Sequence, residues 1–537
     1  MPLALRPAPA HFLLTEALGS PMEKTTTSLW KATTSSPKYG ALQGDIHVDV
    51  AIIGAGITGL TAAILLKERG KRVAVIEKGT VASGESGHTT AHLTEAVDAR
   101  YYFIERKFSG EAARLVARAS RASIEQIAAF VERLSINCRF RRVPGYLYTE
   151  NRNKVAELKK EAAAASTAGV NARFVEEVPL PFATRGAVLF ENQAQFHPRE
   201  YLLALASRIP GDGSHLFDET YVSKIMEGEP CVVETSGGRV TADAVFQASD
   251  VPIEGFTTLF LKDAPYRTYA ISYEAKTEHP EGLFWDTADP YHYTRWQDTD
   301  EGTFMIVGGE DHKVGQKIET ESCFDKLNEY TSQKFGAQTE RYRWSGQVIE
   351  SADGLPFIGK SGRIFVSTGY AGQGMTFGTV GGMIVADQIT GVANPWAALF
   401  DVSRMHARGA MKDLVTENVD FPRRIIVDRI ARRNVETKDL LDVKANEGKI
   451  VSVDGRKLAV HRDAAGKLHA VSSVCTHMKC DVAWNQAEKT WDCPCHGSRF
   501  GIGGGVIHGP ATHALQRVEI EERDGSPAKE DRDESRA

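Results

Sequence analysis

Two short stretches late in the chain, Cys475-Thr476-His477 and Cys493-Pro494-Cys495-His496, set out two thiols and two imidazoles in pairs. A C-x-H pair and a C-x-x-H pair on facing loops suit a [2Fe–2S] cluster in which two thiolates hold one iron and two imidazoles the other. The expected ligands are therefore Cys475, His477, Cys493 and His496. Tetrahedral zinc is the alternative for mixed Cys/His donors, although zinc sites usually open with C-x2–4-C rather than C-x-H.

At the other end, the mostly apolar residues 48–53 break into Gly54-Ala55-Gly56-Ile57-Thr58-Gly59 and continue with the pattern of an amphipathic helix. In G-x-G-x-x-G the first glycine permits a tight turn and the second lets a pyrophosphate approach the backbone. The third lets helix and strand pack closely, and the helix N-terminus faces the phosphates. A second apolar run, residues 72–76, ends in Glu77, placed about twenty residues on to accept ribose hydroxyls. A dinucleotide site follows from this context; a structural glycine turn is the alternative.

These residues, with Glu77-Lys78-Gly79 and the loop Ser83-Gly84-Glu85-Ser86-Gly87-His88-Thr89-Thr90-Ala91, resemble the FAD-dependent oxidoreductases of the D-amino acid oxidase/glycine oxidase (DAO) superfamily. So do Gly346-Gln347, residues 353–359 and residues 364–376, which include Gly372, Gly374 and Met375. The resemblance spans residues 45 to about 415 and implies an α/β Rossmann-type FAD-binding domain with an α+β substrate lobe. It assigns about 45–100, 185–255 and 345–400 to the FAD lobe, and about 101–184 and 256–344 to the substrate lobe. It implies FAD contacts from Gly54, Gly56, Gly59, Glu77, Lys78, His88, Thr89, Thr90, Gly372, Gly374 and Met375. For the later glycine-rich stretch, a strand–turn–helix without a ligand is the alternative. Residues 105–134 and 153–168 have helical periodicity and read as scaffold. Residues 143–149, 196–198 and 291–295 resemble a subgroup of these flavoproteins that carries a fused Rieske domain.

The C-terminal stretches resemble Rieske proteins of the cytochrome bc type, with C-T-H-x-x-C and C-P-C-H-G-S loops. That resemblance implies a small all-β domain over 429–522 and a Cys480–Cys495 disulfide; buried free thiols are the alternative. Ser498 matches a serine that hydrogen-bonds a cluster sulfur and raises the potential. Phe500 stands where high-potential members carry tyrosine, so a redox titration is expected to give a mid-range Rieske potential. Residues 504–511 match the closing G-x-V-x-x-G-P-A loop.

The 537 residues suit two or three domains, and 42% apolar residues with 25% charged describe a globular protein. A net charge of −6 and dispersed Lys/Arg exclude a basic nucleic-acid face. The arginines 423, 424, 429, 432 and 433 read as a solvated face where one domain hands over to the next. No apolar run reaches the roughly 18 residues of a membrane span, and no secretory signal is evident, so a cytoplasmic location is expected. Residues 1–44 read as an N-terminal extension, 416–428 as a linker, and the polar 523–537 as a disordered tail.

A flavin accepts two electrons at once and a Rieske cluster carries one, so their fusion implies FAD-dependent oxidation of a small amine or amino acid with single-electron export to an external acceptor. A redox sensor without turnover is the alternative. Arg295 is the candidate for a substrate carboxylate because guanidinium binds it bidentately. Tyr293 and Tyr146 are candidates for the pocket wall, and His292 for acid–base work. Oligomeric state stays open.

Overall fold

The computed structural model describes residues 26–404 and 440–519, apart from 257–258, 276–277, 318, 337, 441 and 454–455. The expected linker, the tail and the arginine cluster lie outside the described residues.

Strand Ile46–Ile53 is apolar without alternation through its second half, a pattern that requires cover on both faces. It runs parallel to Gly238–Gln247 on one side and Val73–Ile76 on the other. The sheet continues through Ile364–Thr368 and Phe357–Ser361 at one end and His215–Phe217 at the other. Helix Ile57–Glu68 packs against helix Gly374–Thr390. The expected amphipathic pattern is absent here: residues 57–66 are all buried, because packing around the helix leaves that stretch no face toward water. Glycine permits the close helix pair, since a Cβ on Gly382 would come within 2.9 Å of Thr58 O and of Thr61 Cβ.

The second sheet has nine strands, ordered Glu340–Ser351, Asp263–Glu274, Gly302–Lys313, His292–Thr299, Leu283–Trp285, Arg141–Tyr148, Ala187–Gln195 and His92–Leu93, with Ala172–Val175 beside Ala187–Gln195. Leu283–Trp285 is parallel to Arg141–Tyr148, and the other pairings are antiparallel. Helices Gly110–Arg133 and Val155–Thr167 fall where periodicity placed them. The lobe boundaries differ from expectation at three strands: His92–Leu93, Ala187–Gln195 and the end of Glu340–Ser351 pair in this sheet rather than with the nucleotide-binding one. Which sheet a strand joins depends on partners distant in sequence.

Residues 26–44 are not a loose extension. Leu29 and Trp30 are fully buried, Trp30 Nε1 donates to Thr89 O at 2.6 Å, and Ser28 Oγ donates to Gly87 O at 2.6 Å. The segment clamps the 83–91 loop from behind.

Two four-stranded sheets form the C-terminal domain: Glu447–Val453, Arg456–Arg462, Leu468–Ser472 and Arg517–Val518, then Ala483–Asn485, Thr490–Asp492, Arg499–Phe500 and Val506–His508. Trp491, Phe500, Val471 and Leu515 form the core beneath the two cysteine–histidine loops. No helix among the described residues is long and apolar enough to cross a membrane.

Candidate active site and cluster site

A cavity of about 270 Å³ begins at the glycine turn. Gly54 has φ +107°, and a Cβ there would sit 2.5 Å from Ala248 O, so only glycine suits both the conformation and the space. Gly54 and Gly56 line the cavity, as do Glu77, Lys78, His88, Thr89, Thr90, Gly372, Gly374 and Met375. Gly59 does not: it lies behind the turn, where a Cβ would meet Gly54 O at 2.0 Å. Glu77 accepts from Ala55 N and Gly79 N, both at 2.9 Å, and so holds the turn as well as facing the cavity. The N-termini of helices Ile57–Glu68 and Gly374–Thr390 both open onto this space, where their free amides favour anionic or carbonyl groups.

Beyond the turn the lining becomes aromatic. Tyr291, Tyr293, His92 and Trp285 face the cavity with Asp98 and Gln373. Ring centroids lie 5.6 Å apart for Tyr291–Tyr293, 5.9 Å for His92–Tyr293 and 6.4 Å for His92–Trp285. Gly308, opposite Tyr293, makes room for its ring: a Cβ there would overlap it at 2.1 Å. A Cβ on Gly372 would stand 2.9 Å from Asp98 Oδ2 and 3.7 Å from Tyr291 Oη, so these groups converge. His92 Nε2 and Gln373 Oε1 are buried without a hydrogen-bond partner among the described residues, as expected of polar atoms that await a ligand. Burial, with Arg295 behind it, lowers His92 to about 3, so its ring is neutral.

Of the sequence candidates for substrate chemistry, Tyr293 reaches this cavity and the others do not line it. Arg295 is fully buried. It donates to Ala91 O at 2.5 Å, to Phe196 O at 3.2 Å and to Gln297 Oε1, and lies over the Trp30 ring. Its fork is thus spent bracing the loop and the N-terminal segment. His292 occupies the opposite face of its strand, 3.1 Å from Asp286 Oδ2 and stacked on Tyr330. Tyr146 stacks on Phe284. Asp98 and His92 went unmarked in the sequence, and Tyr291 entered only within the 291–295 resemblance, without a role; it had a signal for one, because alternation puts it on the same face as Tyr293.

In the C-terminal domain the loops after Leu468–Ser472 and Thr490–Asp492 face each other and are joined by a Cys480–Cys495 disulfide. Cys475 and Cys493 are buried and interact directly, the hydrogen bond between them holding Cys475 below the usual thiol range and pushing Cys493 above it. The His477 and His496 rings lie 5.1 Å apart, and burial lowers them to about 4 and about 3, leaving neutral imidazoles suited to a metal. His477 Nδ1 is buried without a hydrogen-bond partner among the described residues. A single tetrahedral ion needs all its donors together. Among the described residues the only three-donor group within 4.8 Å is Cys480, Cys493 and Cys495, two of them disulfide-bonded. A thiolate pair and a separate imidazole pair instead fit a two-iron cluster. Ser498 hydrogen-bonds Cys475 and accepts from Ala511 N at 3.0 Å.

Residues 49–388 match the family model described as FAD dependent oxidoreductase, well over half of the chain. The chain belongs to this family. Residues 435–519 match the Rieske [2Fe-2S] domain model. YhfW of Bacillus subtilis (strain 168), which bears the name of a Rieske 2Fe-2S iron–sulfur protein, is 33% identical over 92% of this chain and 97% of its own. Gamma-glutamylputrescine oxidoreductase of Escherichia coli (strain K12) is 25% identical over 70% of this chain and 92% of its own. Glycine oxidase from Geobacillus kaustophilus shares the fold, with a TM-score of 0.58 at 20% identity, covering 67% of this chain and 99% of that one. The protein is therefore an FAD-dependent oxidoreductase that also carries a Rieske [2Fe–2S] cluster.

The Rieske domain of this FAD dependent oxidoreductase closes one wall of the flavin cavity, with His508, Gly509, Ala511 and Thr512 in the lining. His508 lies 3.3 Å from Asp250 Oδ2 and 3.9 Å from Glu85 Oε1, while Tyr221 Oη donates to Ala511 O at 3.2 Å. Deeper in the seam Asp492 lies 3.7 Å from Arg267 and 3.3 Å from Arg499, all buried. Burial works against the Glu85 carboxylate, but His508, His88, Arg267 and Arg499 outweigh it and pull its pKa from 4.5 to about 2. A folded-state pKa below the unfolded one gives stability that is complete above pH 4.5 and lost as pH falls toward 2. Denaturant midpoints measured across that window are expected to drop, with a shallower drop in Glu85→Gln.

Proposed function

We propose that the protein oxidises a small amine, rather than an α-amino acid, and exports the electrons singly through the Rieske domain. The observation that carries this reading is the character of the cavity end. Asp98 converges there with two tyrosines, a tryptophan and a neutral histidine, and no arginine lines the cavity among the described residues. A carboxylate and π-faces suit an ammonium group; among the described residues no cationic side chain at that end answers a substrate carboxylate. The name of the E. coli relative, gamma-glutamylputrescine oxidoreductase, includes a compound with a primary amine and so supports an amine donor.

FAD held on the glycine turn would supply a two-electron acceptor, and a [2Fe–2S] cluster held by Cys475, Cys493, His477 and His496 a one-electron carrier. The chain's own residues do the rest. Tyr291, Tyr293 and Trp285 confine the substrate carbon, and Asp98 holds its nitrogen. The protein around the cavity holds the Asp98 carboxyl above its ordinary range even though the side chain is open to the cavity, making Oδ2 more basic toward the ammonium proton, whose loss frees the nitrogen lone pair. The Rieske wall covers one side of this cavity.

The test is anaerobic stopped-flow against matched pairs of amines and their α-carboxylated counterparts, following flavin and Rieske absorbance together. Amines are expected to bleach the flavin, with cluster reduction following; preferential bleaching by the amino acids would overturn the class. Asp98→Asn is expected to raise KM for the amine roughly 10- to 100-fold, the loss of a charge-assisted contact of about 1.5–3 kcal/mol.

A further inference from the structure

Phe260 belongs to the flavoprotein domain, in the short helical turn Leu259–Leu261, yet it meets the cluster site of the other domain. Its ring packs edge-on against His477 at 4.6 Å and His496 at 5.1 Å between centroids. Its backbone hydrogen-bonds the His496 ring. Phe260 also forms a small buried cluster with Val251 and Ile349, and both of those line the flavin cavity. One side chain therefore spans from the cavity wall to both imidazoles.

The seating is close on either side. Gly315 takes Pro494 of the cluster loop, where a Cβ would meet it at 2.8 Å, and Gly497 lies so near Gln347 that a Cβ would stand 2.4 Å from its Nε2. Histidines that ligate a metal are oriented by the partner of their other nitrogen and by the apolar shell around them, and both tune the metal site. Here the flavoprotein domain supplies that shell.

We propose that Phe260 is a positioning residue for transfer between the two redox sites: it seats both imidazoles against the wall of the flavin cavity, so electrons enter the cluster from its histidine end. This deepens the relay reading and rests on it. Each amine oxidised to an imine releases two electrons and two protons. The protons go to solvent, and the electrons cross the Phe260 seam one at a time. The cluster is reoxidised between crossings, so two equivalents of an external one-electron oxidant are consumed per imine.

The experiment is laser-flash photoreduction of the flavin in holoprotein, which needs no substrate, with the cluster followed at its own absorbance and by pulsed EPR of the imidazole nitrogens. Phe260→Ala is expected to slow flavin-to-cluster transfer at least about tenfold and to shift the nitrogen couplings, and Phe260→Leu, which restores most of the volume, about threefold. Transfer within about a factor of two of wild type in Phe260→Leu and in any cluster-retaining Phe260→Ala, or couplings identical across these proteins, would overturn the proposal. Absence of flavin-to-cluster transfer in the wild type would instead sink the relay reading itself.

Discussion

His477→Ala is expected to erase the Rieske EPR signal and to cut turnover with a one-electron acceptor on the order of a hundredfold, while the amine still bleaches the flavin at the wild-type rate. The residue sits on the loop that follows Leu468–Ser472, away from the flavin cavity lining, and its Nδ1 is buried with no protein partner among the described residues. With His477 as one of the proposed iron ligands, removing its imidazole would leave an iron without that ligand, so the cluster would be lost rather than merely tuned. The glycine turn, Asp98 and the tyrosines lie in the other domain and keep their geometry, which is why the reductive half-reaction is expected to survive. Paired measurements separate the alternatives: full turnover without the EPR signal would mean that electrons leave the flavin by another route, and lost bleaching would mean that the domains fold as one unit.

Such a clean division of labour was legible in the sequence because each cofactor's chemistry is written in adjacent residues. The two cysteine–histidine pairs and Gly54–Gly56–Gly59 need only their own spacing to declare themselves, and the structure places them on facing loops and at a strand–helix turn. Arg295 shows where that legibility ends. Its residue type fits carboxylate binding, but on strand His292–Thr299 it sits at the depth of Trp30 and Phe196 rather than at the cavity. Depth along a strand is decided by what packs behind it, here a segment more than 250 residues earlier in the chain. Asp98 and Phe260 are single residues in loops or turns without a motif, and their partners come from other strands or from the other domain. Residues 26–44 were missed for a related reason: one apolar pair, Leu29 and Trp30, carries no periodicity.

The seam between the domains gives these scattered residues a common logic. Glu85, Asp250 and Arg267 from the flavoprotein side meet His508 and Asp492 from the Rieske side. Buried charges of this kind cost desolvation unless paired, and they penalise any other docking arrangement. They therefore argue for one fixed pose, in which the same contacts that close the flavin cavity also hold the imidazole pair against Phe260.

Gly59→Ala is expected to abolish FAD retention while sparing the cluster, a loss visible as flavin absorbance bands missing beside an intact Rieske EPR signal. Gly59 touches no ligand space; its Cα lies against the carbonyl of Gly54, and a Cβ would stand 2.0 Å from that oxygen and 3.2 Å from Ile52 Cγ2. The oxygen cannot retreat independently, because Gly54 is pinned at φ +107° with its N–H donating to Ile76 O at 2.8 Å. Relief must come from moving helix Ile57–Glu68, which is buried along most of its length and locked against Gly374–Thr390 through further glycine contacts. Overpacking of this sort costs about 1–3 kcal/mol where a site can adjust, and more where the obstacle is backbone. The shift falls on the amides that face the pyrophosphate, so FAD affinity is expected to drop by a hundredfold or so. The cluster's ligands are local to two loops tied by Cys480–Cys495, and they give the cluster its own reason to persist. Retained flavin in Gly59→Ala would show that the helix can slide, and that the close helix–strand approach at Gly59 is not needed to hold FAD.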